Sequence, residues 1–255
     1  MMKMMTFLRT SLLLVIAVVF CSGFALIGKG YQVYKEAESR VGLSEKVQEI
    51  RSKDTFTSIE DLPETYVNAV VAVEDKRFFT HPGIDLLAVG RALLHDIQAG
   101  RYVEGGSTIT QQVVKNTYLT QEQSFTRKIV EILLAPEIEK KYSKADIMEF
   151  YCNTNFYGNH CYGVEAASRY YFGKDASDLE SYEAAVLVGI SNSPTAYNPV
   201  RNPEASLKKR NDVLHSMLEV GYLSEDAYES AISQPLSIAQ EESEGSNENY
   251  MRSYA

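Results

Sequence analysis

The hydrophobic pattern changes character twice along the 255 residues. Residues 10–28 carry no charge and are built largely from Leu, Val, Ile, Ala and Phe. As a helix this stretch spans about 28 Å, close to the hydrocarbon thickness of a bilayer. It predicts an uncleaved N-terminal anchor rather than a signal peptide, whose apolar region is shorter and ends in a small-residue cleavage site. Lys3 and Arg9 precede it and Lys29 and Lys35 follow, so flanking charge leaves its orientation open. Residues 1–9 read as a short tail and 29–54 as a charged, helix-compatible stalk or linker. From residue 55 the period becomes helical. A helix is predicted from Glu64 to Glu74, with Asp61 as its cap and Pro63 in the first turn. After a His81-Pro82-Gly83 turn, Ile84 to Ala99 reads as amphipathic, with Leu86, Leu87, Val89, Leu93, Leu94 and Ile97 as its apolar positions.

Further helices follow. One starts at a Thr108/Gln111 capping box, one carries Arg127 to Glu131, and one runs from Lys144 to Asn153 behind a Ser143 cap. Residues 163–172 end at Gly173, as a helix C-terminus should. The Ala- and Val-rich stretch 182–190 predicts a buried helix. Beyond an irregular strap at 194–203 lie two amphipathic helices, about 204–220 and 224–232. No strand alternation stands out. The fold class is therefore mainly α, with one domain over 55–235 and a polar, disordered tail over 236–255.

Composition changes this picture little. Hydrophobic residues at 45% and charged residues at 23% are ordinary for a globular chain. The net charge of −9 supplies no broad positive field, which excludes nucleic acid as a general partner. Cys21, Cys152 and Cys161 form no Cys-x-x-Cys or Cys/His ligand pattern, so a structural zinc site is not expected, and free thiols are favoured over a Cys152–Cys161 disulfide.

Three stretches carry candidate chemistry. Glu74-Asp75 closes an apolar helix with carboxylates, where the helix dipole disfavours them; read alone, such a pair is solvated surface charge. Residues 105–116 place glycines, hydroxyls, helix N–H groups and Lys115 together, either as a phosphate seat or merely as a well-capped helix. Arg127 and Lys128 stand four and three positions before Glu131, so the three share a face. They form either a surface ion pair or a holder for a diphosphate, with a metal bridging to the carboxylate.

Together, these motifs resemble the peptidoglycan glycosyltransferases of glycosyltransferase family 51, the transglycosylase domain of class A penicillin-binding proteins and monofunctional transglycosylases. Glu74, Asp75, Phe78, His81 and Gly83 meet the family's Glu-Asp-x-x-Phe-x-x-His-x-Gly. Gly105, Ser107, Thr108, Thr110, Gln111 and Gln112, followed by Lys115-Asn116, meet its Gly-x-Ser-Thr-x-Thr-Gln-Gln and Lys-Asn. Arg127, Lys128 and Glu131 meet Arg-Lys-x-x-Glu, Lys144 to Asn153 meets Lys-x-x-Ile-x-Glu-x-Tyr-x-Asn, and Ser193 to Pro199 meets the closing strap. Two departures stand out. Pro136 should kink or break a helix there, and Asn159-His160-Cys161 replaces small residues before Tyr162-Gly163.

The resemblance implies a lysozyme-like, two-lobed helical domain acting on lipid II and the growing lipid-linked glycan. It implies Glu74 as base, Glu131 as second catalytic carboxylate, and Ser107, Thr108, Gln112, Lys115, Asn116, Arg127 and Lys128 as pyrophosphate-binding residues. Asp75, Phe78, His81, Gly83 and Gly105 would support the site. No cofactor is required; Glu131 could hold a divalent cation, magnesium or manganese. The expected location is the cell membrane, single-pass, with the domain extracytoplasmic and transpeptidases or division and elongation proteins as partners. A glycan-cleaving enzyme and a non-catalytic lipid II scaffold are the competing readings. Ser206-Leu207-Lys208-Lys209 matches the Ser-x-x-Lys of penicillin-binding sites but lacks its partner motifs. The chain is expected to be monofunctional or the front of a bifunctional protein.

Overall fold

The structure, a computed structural model, describes residues 28–33, 35–36, 42–101, 105–119 and 125–239. Ten helices matter here: α1 (Leu43–Arg51), α2 (Glu64–Glu74), α3 (Leu86–Ala99), α4 (Ile109–Tyr118), α5 (Phe125–Lys141), α6 (Lys144–Thr154), α7 (Val164–Phe172), α8 (Ser181–Asn192), α9 (Pro203–Glu219) and α10 (Glu225–Ser233). The only extended pairing among the described residues is one antiparallel bridge, Phe156 to Tyr162. The mainly α reading holds. The expected anchor and tail fall almost wholly outside the described residues, among which no helix is long and apolar enough to cross a membrane.

The helices form two groups that share one apolar core. In the first, α8 packs on α9 and α2, and α10 closes against α9. Every residue of α8 from Glu183 to Ile190 is buried, because this helix is apolar on all sides and can be satisfied only at the centre. In the second, α4 packs on α5 and α6 through Ile109, Val113 and Val114. Residues 43–51, expected within a stalk, instead form α1 and bury Val47 and Ile50 against this group. Ile238, expected in the tail, is also buried.

Caps decide several of the helix starts. Thr108 with Gln111 and Ser143 with Asp146 form complete capping boxes. Asp61 is not the cap of α2: it ends a short 3-10 turn capped by Ser58, and Pro63 stands at the N-cap of α2. Pro136 does not break its helix, and α5 continues through it to Lys141. The bond it forfeits would have ended on the carbonyl of Ile132, a residue 43% exposed, so solvent can take the freed acceptor. In the second departure, Asn159 and His160 adopt left-handed backbone at φ 46° and 61°, folding the chain back for the Phe156–Tyr162 bridge. Cys152 and Cys161 are free and buried, and burial raises both thiols, that of Cys161 to about 12.

α3 departs from the usual fate of an amphipathic helix. Leu86, Leu87, Leu93, Leu94 and Ile97 are 60–78% exposed, and Ala92 is its only buried residue. Asp85 caps it, accepting from the Ala88 N–H at 2.8 Å, and also pairs with Arg77 through two hydrogen bonds. Arg77 holds the Asp85 carboxyl down at about 2. Because the folded value lies below the ordinary Asp value of about 3.9, this stabilisation is complete above that value and is lost as pH falls through the folded one. Asp85→Ala is expected to cost about 1–2 kcal/mol in urea unfolding at neutral pH, with the gap to wild type closing as the pH approaches 2.

Candidate active site

A cleft of about 630 Å³ opens between the two helix groups. Its chemistry comes from helix ends. Glu74 is the last residue of α2 and Asn192 the last of α8, while Gln112 and Lys115 come from α4, and Arg127, Lys128 and Glu131 from α5. Gln112 Nε2 donates to Glu74 Oε2 at 2.6 Å, and Asn192 Nδ2 approaches Oε1 at 3.5 Å. Those donors, together with nearby Lys115, oppose the cost of ending a helix on a carboxylate.

Across the cleft, Lys128 Nζ donates to Glu131 Oε2 and to Ser107 Oγ, each at 2.7 Å. Arg127 Nε lies 3.3 Å from Glu131 Oε1. Glu131 is 4% exposed, so its charge is held by these two cations rather than by water. Burial lowers the Lys115 ammonium from its ordinary value; Glu131 and Glu74 oppose the shift, and Arg127 and Lys128 add to it. Seven Lys or Arg residues line the cleft against four carboxylates, a local excess of positive charge in a chain of net charge −9.

The support residues form a knot behind Glu74. Asp75 accepts from the Ile109 N–H at 3.1 Å and faces His81 Nε2 at 2.8 Å. The Gly83 N–H points at His81 Nδ1 at 3.2 Å, which assigns the ring proton to Nε2, toward Asp75. Thr108 Oγ1 donates to the Gly83 carbonyl at 2.6 Å. Gly83 has φ 94°, and a Cβ there would come within 2.9 Å of the Ala135 carbonyl, so only glycine fits. Phe78 is fully buried beneath Lys144, whose Nζ sits 4.4 Å from the ring centroid and donates to the His81 carbonyl.

Of the residues expected to bind pyrophosphate, Ser107, Thr108, Gln112, Lys115, Arg127 and Lys128 line this cleft, as do Gly105 and Asp75. Thr108 is 2% exposed and its hydroxyl is engaged in capping α4 and in the bond to Gly83. Asn116 stands apart: it lines a separate shallow depression and donates to Asn155 Oδ1 at 2.6 Å. Sequence reasoning missed Lys76, Arg77, Arg91, Asn192 and Lys209, all of which line the cleft. Lys76 and Arg77 directly follow Glu74-Asp75 and were visible as neighbours. Lys209 is the lysine of the Ser206-x-x-Lys209 match; Ser206 is buried, whereas Lys209 crosses α8 over Gly189 to reach the site.

A half-buried carboxylate facing a preformed cluster of cations describes a site that can accept a proton while stabilising an anionic leaving group. Comparison with known proteins agrees with this class: a family model described as Transglycosylase matches residues 43–218, and the chain belongs to that family. It is 47% identical to penicillin-binding protein 1A of Aquifex aeolicus over 189 residues, covering 74% of this chain and 26% of that protein. Identity is 46% over 167 residues with penicillin-binding protein 1F of Bacillus subtilis (66% of this chain, 23% of that protein). With penicillin-binding protein 1A of Pseudomonas aeruginosa it is 41% over 179 residues (70% and 22%). The chain thus spans about a quarter of the length of these curated relatives.

The knot predicts a stability phenotype. Asp75→Asn replaces an acceptor facing two donors and should lower unfolding stability by about 1–3 kcal/mol, read by chemical denaturation. Lost activity at unchanged stability would instead give Asp75 a chemical part.

Proposed function

We propose that the domain is a membrane-associated peptidoglycan glycosyltransferase that polymerises lipid II into β-1,4-linked glycan, with Glu74 as the general base. Glu74 takes the proton from the 4-hydroxyl of the acceptor's GlcNAc as that oxygen bonds to carbon 1 of the donor's MurNAc. The bond from carbon 1 to the pyrophosphate breaks, the polyprenyl pyrophosphate departs, and the anomeric centre inverts. The observation that carries this reading is the placement of Lys115, Arg127 and Lys128 across one cleft from Glu74. A departing pyrophosphate needs cations fixed in advance, whereas a hydrolase cleaving neutral glycan does not. Retention of both Glu74 and Glu131 favours an enzyme over a binding scaffold. The two helix groups around one cleft are in keeping with the two-lobed, lysozyme-like description that the motifs imply.

In this reading Glu131 orients Lys128 and Arg127. Both of its oxygens already face cations, so a divalent metal there would meet like charge, and the residues present do not fit one. No group of three or more His, Cys, Asp or Glu side chains arranged to hold a metal occurs among the described residues.

The exposed leucine face of α3 supports membrane association. An uncovered apolar helix beside a cleft that takes a lipid-linked sugar is best placed in the interfacial layer of the bilayer. In this reading the substrate's exposed sugar sets the site outside the cytoplasm, with the chain anchored through residues 10–28.

Purified protein should polymerise lipid II in detergent. Glu74→Gln should lower the rate at least about 100-fold with the fold intact, and chelation of divalent metal should leave polymerisation unchanged. Full polymerisation by Glu74→Gln would remove the base from Glu74, and shortening of preformed glycan without polymer would sink the transferase reading. Leu93→Glu with Leu94→Glu should abolish sedimentation of residues 28–255 with liposomes while leaving thermal stability intact.

A further inference from the structure

A second cavity, of about 570 Å³, opens where the hairpin 155–163 meets the strap 194–201. It lies within the ordinary size range of small-ligand sites, about 300–1,000 Å³, and the reaction as described does not use it. The hairpin is a built element. The Tyr157 N–H donates to the Cys161 carbonyl and the Gly163 N–H to the Asn155 carbonyl, each at 2.9 Å. Gly158, Asn159 and His160 turn it through three consecutive left-handed residues, at φ 78°, 46° and 61°. Two non-glycine residues in that region are costly for L side chains, and such cost concentrates where the chain must present particular groups.

The strap is fixed too. Asn198, 3% exposed, accepts from the N–H groups of Val200 and Arg201 at 3.0 and 3.2 Å, which sets the point from which Arg201 lines the cavity. The hairpin closes against it: a Cβ on Gly158 would stand 3.4 Å from the Pro194 carbonyl. The lining is chemically mixed. Phe156 and Tyr162, 38% and 55% exposed, pair their rings at 4.8 Å and give an apolar wall. Arg201 supplies positive charge, and none of the described residues lining the cavity is Asp or Glu. Burial raises the Tyr170 phenol and Arg201 opposes the rise, so the guanidinium charge is felt on the α7 wall. Aromatic faces beside a guanidinium with no acidic neighbour in the lining suit a ligand that carries aliphatic groups and a carboxylate, such as a short peptide.

Position says which peptide. Asn192 stands 3.5 Å from Glu74 Oε1. Pro194, which lines the cavity, follows two residues later, at most about 7 Å along the backbone. Lipid II carries a pentapeptide on the lactyl arm of its MurNAc, and in the proposed reaction the donor's MurNAc is the ring attacked beside Glu74. An extended pentapeptide spans about 17 Å, enough to run from that ring past Asn192 into the cavity. We propose that the cavity is a subsite for the donor's peptide, with Arg201 pairing a peptide carboxylate and the Phe156 and Tyr162 rings covering its aliphatic residues. The assignment rests on the transferase reading, and it makes Arg201 and Tyr162 specificity-determining residues.

The test offers the full chain in detergent lipid II and a matched analogue whose lactyl arm ends in a simple amide in place of the peptide. Wild type should use lipid II about tenfold better in kcat/KM. Arg201→Ala and Tyr162→Ala should each raise KM for lipid II about fivefold, with kcat, the melting temperature and all kinetics on the analogue unchanged. Equal efficiency of wild type on the two substrates, or a KM rise that appears with the analogue as well, overturns the proposal. A binding measurement needs no turnover: free pentapeptide should shift the NMR signals of His160 and Tyr162 in wild type and not in Arg201→Ala. Unmoved signals, or shifts that survive Arg201→Ala, also overturn it. A wild-type chain that shows these shifts but makes no polymer fails the transferase reading while upholding the peptide site.

Discussion

Asp75 accepts a hydrogen bond from the Ile109 N–H and faces His81 Nε2, and so ties the C-terminal end of α2 to the N-terminal end of α4. The two helix ends have opposite dipole signs. A carboxylate that strains the end of α2 is therefore welcome at the start of α4, and one side chain answers both. His81 passes the tie to Gly83 and Lys144, and Thr108 closes it from α4. With this junction set, Glu74 must project into the space between the helix groups, within reach of Gln112. Replacing any member would move Glu74 relative to the cations of α5.

The cleft inverts the charge of its chain. An acidic protein concentrates Lys and Arg around one carboxylate, and Glu131 is spent inside the cluster to keep two of the cations from repelling each other apart. Lys128 bonds at once to Glu131 and Ser107, linking α5 to the approach of α4. A site built this way is organised before substrate arrives, which is what stabilising a departing anion requires.

α3 shows a second kind of economy. Its cap and the Arg77 pair hold its first turn in place, yet five of its apolar residues stay largely exposed. Left open beside a cationic cleft, it is the surface through which the proposed membrane association would act.

Much was legible from the chain alone, because helix period, capping boxes and motif spacing are local properties. The helices α2 and α4 to α10, the caps Thr108 and Ser143, and the joint identity of Glu74, Lys115, Arg127, Lys128 and Glu131 as one site could all be read in order. What the chain could not show was burial and reach. Whether Leu86 to Ile97 face a core or an exterior, whether Asn116 faces the cleft, and whether Pro136 breaks a helix depend on what packs against each of them. Lys209 and Asn192 enter the site only because α8 and α9 cross beside α2, contacts between residues more than a hundred positions apart. Periodicity assigns a face to every helix; only packing decides what that face meets, and that decision set Glu74 on the cleft and Asp75 in the junction behind it.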